Sequence, residues 1–395
     1  MIIGIDASRA LRAKRTGTER YALEIIRHLL ALPEASRYQW RLYVDETPSA
    51  GIFAGAATPV DRQGDRQGDV TVRLLPRQRL WTHRALAREL RRQPPDLLFV
   101  PAHVLPFLLP APWPGSALPP SVVTIHDLGY HFFPQAHSRF QRLYLPLSTR
   151  WSAWAASAIV AVSSATATDL QRFYGTARAK ITVVHEAPTS ALQTGGGGAD
   201  LVEQVRARYQ LPPVYGLYVG TLQPRKNLPR LLQAYAQLRQ RQAIGWPLVL
   251  AGAPGQQAVA LTALAQTLGI ADMVYFVGYV QEAELAALYR GAHLFLFPSL
   301  FEGFGLPLLE AQSYGVPVMA ANNSSLPEIA GDAALLVDPT DVDALADAMV
   351  RLSTDEALRQ QLITAGHANV KRFSWAKAAH ETLAVFEKVL GRGGE

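Results

Sequence analysis

His293-Leu294-Phe295-Leu296-Phe297-Pro298-Ser299-Leu300-Phe301-Glu302-Gly303-Phe304-Gly305-Leu306-Pro307-Leu308-Leu309-Glu310-Ala311 passes from an apolar run, through a loop with two glycines, into a segment led by a proline. The run predicts a strand over His293–Phe297. Pro307 suits the first helical position, so a helix is predicted from about there. A strand that enters a helix through a short glycine loop is the repeating piece of a doubly wound α/β sheet. Free amides at such a helix start can hold a phosphate or sugar hydroxyls, and the helix dipole adds favourable charge. Glu302 and Glu310 bracket the glycines, and a carboxylate can accept from both hydroxyls of a vicinal diol.

Upstream, the alternation is regular. Strands are predicted at Tyr215–Val219, Pro247–Ala251 and Val274–Val277, with helices at Leu228–Gln240, Gln256–Leu268 and Glu282–Arg290. Earlier still, apolar runs at Ile2–Asp6, Trp40–Val44, Val70–Leu75, Leu97–Val100, Ser121–Ile125, Ala158–Val162 and Ile181–Val184 alternate with helical patterns at Arg20–Leu32, Trp151–Ala156 and Thr166–Tyr174. Between the two series lies Thr194-Gly195-Gly196-Gly197-Gly198, which no stable element interior can contain. The expected architecture is therefore α/β with two Rossmann-like doubly wound domains facing a central cleft. The first domain spans residues 1–192 and the second 199–375, with 193–198 as linker. The last helix, from 376, is expected to cross back to the first domain.

Composition narrows the chemistry. The 395 residues are 49% hydrophobic and 18% charged, which fits globular domains and excludes global disorder. Zero cysteines exclude a disulfide framework, a thiolate nucleophile and cysteine-ligated metal. No compact metal-ligand pattern occurs, so no metal is expected. The longest apolar candidate, Val104 to Trp113, is broken by three prolines and falls short of the ~20 residues of a spanning helix. The N-terminus lacks a secretory pattern, so a cytoplasmic location is expected. Residues 1–200 carry a net charge of +8 and the remainder −2. The densest arginines, Arg73 to Arg92, form a solvated helix face in the plainest reading, while an anionic membrane surface is the alternative partner. No zinc, helix-turn-helix or RNA-binding signature accompanies them, so nucleic acid is not expected.

Three further segments carry chemistry. Gly220-Thr221-Leu222-Gln223-Pro224-Arg225-Lys226-Asn227 leaves a predicted strand with two cations, expected in a solvated cleft, where they would stabilise charge developing on a departing diphosphate. The plainer alternative is a helix cap with surface cations. His126-Asp127-Leu128 follows a strand: His126 could donate to or accept from a substrate hydroxyl, and Asp127 could orient it, although a lone histidine is more often structural. Gly17, between Thr16 and Thr18, could bring its amide to a phosphate, or could sit in an ordinary turn. A hydrolase role for Glu302 and Glu310 is disfavoured, since eight helical residues span ~12 Å and paired glycosidase carboxyls lie ~5–9.5 Å apart.

Taken together, Thr16-Gly17-Thr18, His126-Asp127-Leu128, Gly220-Thr221 with Arg225-Lys226-Asn227, Glu302 to Glu310 with Gly303-Phe304-Gly305, Ser325-Leu326-Pro327-Glu328 and Gly331-Asp332-Ala333-Ala334 to Asp338-Pro339 resemble the retaining glycosyltransferases of family 4, with GT-B architecture. The resemblance covers nearly the whole chain. It implies that Arg225 and Lys226 bind the donor diphosphate and Glu310 the ribose. Glu302 and the Gly303, Phe304, Gly305 and Leu306 backbone would hold the transferred sugar, and His126 would reach that sugar from the opposite domain. Thr221 and the Gly278-Tyr279-Val280 turn would complete the nucleotide site. A front-face mechanism needing no metal or other cofactor is implied, with a nucleotide-sugar donor and a glycan or lipid-linked acceptor. The stretch from His126 through Pro134 and the Glu302 to Glu328 region look most like bacterial mannosyltransferases of O-antigen or exopolysaccharide synthesis that use GDP-mannose, and the implied place of work is the cytoplasm, peripheral to the inner membrane face. The chain departs from the family in its single Gly17, where many members have a glycine doublet, and in His185-Glu186-Ala187, where many have Asn-Gly. A UDP-sugar 2-epimerase and a catalytically silent nucleotide- or glycan-binding subunit are the rival readings.

Overall fold

A computed structural model of the chain describes residues 1–12, 15, 17–49, 51–53, 70–188 and 199–391. The glycine linker predicted at 193–198 lies outside the described residues, as does Thr16.

The chain divides into two compact units, one made of Met1–Tyr130, Ser138–Glu186 and the chain from Ser374 onward, the other of His131–His137 and Ala187–Phe373. The first holds seven strands: β1 (Ile2–Asp6), β2 (Gln39–Val44), β3 (Val70–Leu74), β4 (Leu97–Val100), β5 (Ser121–Ile125), β6 (Ala158–Ala161) and β7 (Ile181–Val183). They lie in the order β3-β2-β1-β4-β5-β6-β7, every pair parallel. The central strands are largely apolar because helices cover both faces, and β4 and β5 are wholly buried. The second unit has β8 (Gly216–Val219), β9 (Leu248–Ala251), β10 (Val274–Gly278), β11 (Leu294–Phe297), β12 (Val318–Ala321) and β13 (Leu335–Val337), ordered β10-β9-β8-β11-β12-β13 and again all parallel. Strand order therefore reverses between β1 and β4 in one unit and between β8 and β11 in the other. Open parallel sheets bind ligands beyond the carboxyl ends of strands at such a reversal.

The C-terminal helix Trp375–Val389 packs on the first unit. Phe386 lies 5.0 Å from Phe99 and Trp375 lies 5.7 Å from Tyr21, ring centre to ring centre, while the Tyr38 hydroxyl donates to Glu387 at 2.9 Å. The helix therefore groups with the first unit.

One helix is longer than its pattern suggests. The helix predicted at Trp151–Ala156 runs from Arg139 to Ala155, started by a Ser138 cap whose side chain and backbone exchange hydrogen bonds with Gln141. Its apolar residues Phe140, Leu143 and Leu147 are exposed, so the usual inward period is missing from its first half.

Candidate functional site

In the second unit the reversal point gathers the residues that the sequence singles out. The loop after β8 turns through a 3-10 turn, Pro224–Lys226, and Asn227 then takes a left-handed conformation (φ 59°) that starts the helix Leu228–Gln240. Asn227 is fixed by donating to the Pro339 carbonyl at 2.6 Å and accepting from Arg230 at 2.9 Å. The loop after β11 lies alongside, tied by the Leu300 amide donating to the Arg225 carbonyl at 2.8 Å.

Between these loops sits a buried ion triad. Lys226 Nζ donates to Glu302 Oε1 at 2.5 Å, and Arg225 Nη1 donates to Glu302 Oε2 at 2.9 Å and to the Phe301 carbonyl at 3.0 Å. The side chains of Lys226 and Glu302 are 8% and 7% exposed and that of Arg225 is 24% exposed. Lys226 also stands 5.3 Å over the Phe297 ring. The solvated setting expected for the two cations is therefore corrected for Lys226, which is buried. Burial alone would raise the Glu302 carboxyl, but the Lys226 and Arg225 charges outweigh it and hold the group below its ordinary range.

The loop from Glu302 to Leu306 is pinned from behind. Ser325 Oγ donates to the carbonyls of Glu302 (3.0 Å) and Phe304 (2.7 Å), and the Glu302 amide donates to Ser324 Oγ at 3.0 Å. Gly305 has φ 116°, and a Cβ there would lie 2.8 Å from the Leu326 side chain, so glycine is required for the loop to enter the helix Leu306–Ser313. Glu310, on that helix, accepts from the Tyr289 hydroxyl at 2.9 Å and is 2% exposed. Glu302 and Glu310 thus have different partners. Across the reversal, a Cβ on Gly252 would stand 2.0 Å from the Gly220 carbonyl oxygen, so the loops after β8 and β9 cross backbone on backbone beside Thr221. Gly278 ends β10 with φ 72° and leads to Tyr279, half exposed, and Val280, buried.

The first unit has its own polar node at the ends of β4, β5 and β7. His126 is buried, with Nδ1 bonded to Glu186 Oε1 at 3.1 Å and Nε2 to the Pro101 carbonyl at 3.1 Å. Both partners accept, so both ring nitrogens carry protons. Burial opposes that charge, but the Glu186 carboxylate outweighs it and raises His126 above its ordinary value. His103 stacks on His126 at 5.5 Å and its Nε2 accepts from the His126 amide at 3.0 Å, while burial and the His126 charge pull it down to about 4. Tyr21 meets the His126 ring edge-on at 4.7 Å. Both ring nitrogens are engaged, so a substrate hydroxyl would have to exchange with one of these bonds. Asp127 accepts from the Gly129 amide at 2.9 Å, at the start of the short helix Gly129–Phe132, and it is Glu186 that orients the imidazole. Sequence reasoning gave Glu186 no role. Its only signal was a charged residue two positions beyond the predicted strand Ile181–Val184. Gly17 opens the helix Gly17–Ala31 and is exposed. Among the described residues no group of three or more His, Asp or Glu could hold a metal ion.

Two parallel-sheet units with loop-borne cations and carboxylates at the sheet reversal define a GT-B glycosyltransferase. Residues 206–369 match the family described as glycosyl transferases group 1, and residues 15–187 match Glycosyltransferase Family 4. The O-antigen chain mannosyltransferase B of Escherichia coli is 31% identical over 97% of this chain and 99% of its own length. The serotype-specific mannosyltransferase WbdA of Escherichia coli is 32% identical over 60% of this chain and 29% of its own length. Among solved structures, a sucrose-phosphate synthase from Thermosynechococcus elongatus superposes with a TM-score of 0.70 at 20% identity, covering 99% of both chains. Anabaena HepE in complex with UDP and glucose does so with 0.69 at 17% identity, covering 98% of this chain and 99% of that one. The chain belongs to glycosyltransferase family 4.

Two titrations check the site. Glu302, depressed in the fold, contributes stability that is present above its ordinary value of 4.5 and is lost as pH falls through its lower folded value. Denaturant unfolding across the acid range will show a Glu302→Gln variant about 3 kcal/mol less stable near neutrality, because two cations lose their partner, and with a smaller loss on acidification than the parent. His126, raised in the fold, contributes stability that is complete below its ordinary value of 6.5 and lost as pH rises through its folded value. In Glu186→Gln the His126 ring resonances will titrate at lower pH by NMR, and an unmoved titration would refute the pairing.

Proposed function

We propose that the chain transfers a hexose, mannose carried by GDP-mannose, to a glycan or lipid-linked acceptor with retention of anomeric configuration. The observation that carries this reading is the buried Lys226–Glu302–Arg225 triad at the β8/β11 reversal. Two cations converge there on one carboxylate, and a diphosphate offers them the same oxygens with more charge. In the donor complex Arg225 and Lys226 turn to the diphosphate, and Glu302, released from them, accepts from hydroxyls of the sugar. Gly303 to Leu306 line that sugar with backbone, Glu310 takes the ribose, and Gly220, Thr221 and the turn Gly278 to Val280 border the nucleotide.

In the reaction the bond from the anomeric carbon to the β-phosphate oxygen breaks and a bond to the acceptor oxygen forms on the same face. The acceptor proton passes to the departing phosphate oxygen, and the growing negative charge falls against Arg225 and Lys226, where a dry site makes it count most. The cations supply what a metal ion would, so turnover persists in EDTA. The choice of mannose rests on the named activities of the two Escherichia coli relatives. The choice of guanine rests on overall sequence similarity, and the HepE complex with UDP names the competing base.

The test is a thermal-shift panel of GDP-mannose, UDP-glucose, ADP-glucose and dTDP-rhamnose, followed by transfer with the compound that binds. GDP-mannose at a hundred times its Kd adds about 2.7 kcal/mol of stability, and Arg225→Ala lowers kcat by roughly 10²–10³. A shift with UDP-glucose and none with GDP-mannose would overturn the donor. Nucleoside diphosphate released without acceptor would instead support the epimerase.

A further inference from the structure

Two buried hydroxyls stand at the β8/β11 reversal without partners. Tyr218, on β8, and Ser299, two residues past β11, are both 0% exposed, and neither Tyr218 Oη nor Ser299 Oγ completes a hydrogen bond with a described residue. A hydroxyl withdrawn from water in this way costs free energy that an apolar side chain would not. Both stand beside the triad. The Tyr218 ring stacks on Phe297 at 6.5 Å, the same ring that Lys226 Nζ overlies at 5.3 Å. A Cβ on Gly220 would stand 2.6 Å from Tyr218 Oη and 3.7 Å from Lys226 Cε, so the phenol ends beneath Gly220 and next to the lysine.

Glu302 is the group that has use for them. Its two oxygens are held by Lys226 and Arg225, and a buried carboxylate that lost both cations would keep its charge only if other donors reached it. Ser325 is not such a donor, since its hydroxyl is committed to two carbonyls. Burial raises the Glu302 carboxyl, Lys226 and Arg225 outweigh it, and Ser299 Oγ adds to their pull without completing a hydrogen bond. Burial, and after it the Glu302 charge, push the Tyr218 phenol well above its ordinary value of 10.0, so it remains a proton donor. Lys226, Arg225 and Tyr218, the titratable groups facing Glu302, all come from β8 and the loop after it.

We infer that Tyr218 and Ser299 are positioning residues that take over Glu302, donating to its carboxylate once Arg225 and Lys226 turn to a nucleoside diphosphate. The carboxylate then stays ionised and in place to accept from the sugar. Its two oxygens offer about four lone-pair sites, enough for both hydroxyls and the sugar together. This rests on the donor reading and adds to it the exchange of partners that lets Glu302 release the cations.

GDP and UDP are the probes, because a diphosphate without its sugar draws the cations and brings no sugar hydroxyl to Glu302. In titration calorimetry of the full chain, Tyr218→Phe and Ser299→Ala will each bind the probe ~10-fold more weakly than the parent at about pH 8. The gap will narrow toward about pH 5.5, because Glu302, short of a donor in the variant complex, has a raised value there and takes up a proton on binding. With no nucleotide added, neither variant will melt below the parent, since each loses only an unpartnered hydroxyl. Parent and variants binding a probe equally at both pH values would overturn this inference and leave the donor reading standing. A loss of the same size at both pH values would put the hydroxyl on the diphosphate instead, and a variant melting several degrees lower would give it a structural task; either overturns the exchange. A parent that binds neither probe would overturn the donor reading and this inference with it.

Discussion

The Lys226–Glu302–Arg225 triad is the constraint from which the second unit's site follows. A lysine ammonium buried against Phe297 requires an anion, and Glu302 is that anion. This fixes the loop after β11 against the loop after β8, with the Leu300 amide on the Arg225 carbonyl completing the join. Ser324 and Ser325 hold the same loop from its other side, and Gly305 lets it turn into the helix that carries Glu310. Lys226 is thus held buried and Arg225 partly exposed, both fixed on the one Glu302 carboxylate. The first unit solves a similar problem with opposite components: a buried imidazolium held by one carboxylate and one carbonyl.

Much of this was legible in the residues, for physical reasons that differ by element. The strands of both sheets were readable because helices cover both faces, so β4, β9 and β11 are unbroken apolar runs. The cations and Glu302 were readable because a reversal in parallel sheet order places the ends of β8 and β11 side by side. Their burial was not, since a lysine in a loop gives no sequence sign that a glutamate 76 residues later will cover it. The partner of His126 was equally hidden: Glu186 is 60 residues away and stands where the family pattern offered no role. The helix Arg139–Ala155 was half missed because sequence periodicity assumes apolar residues face inward, and here the small and hydroxyl residues do.

That inverted helix and the triad sit in different units and rest on different physics. One is an exposed apolar stripe, which costs free energy in water. The other is a set of charges withdrawn from water, which holds its place only while paired. Family membership explains neither by itself. Both arise from where particular side chains lie on two otherwise ordinary doubly wound sheets.

The most direct measurement is a crystal structure of the chain with GDP bound. The account requires diphosphate oxygens within ~3 Å of both Arg225 and Lys226, with Glu302 drawn away from at least one of them. A diphosphate bound elsewhere, with both cations still closed on Glu302, would contradict it.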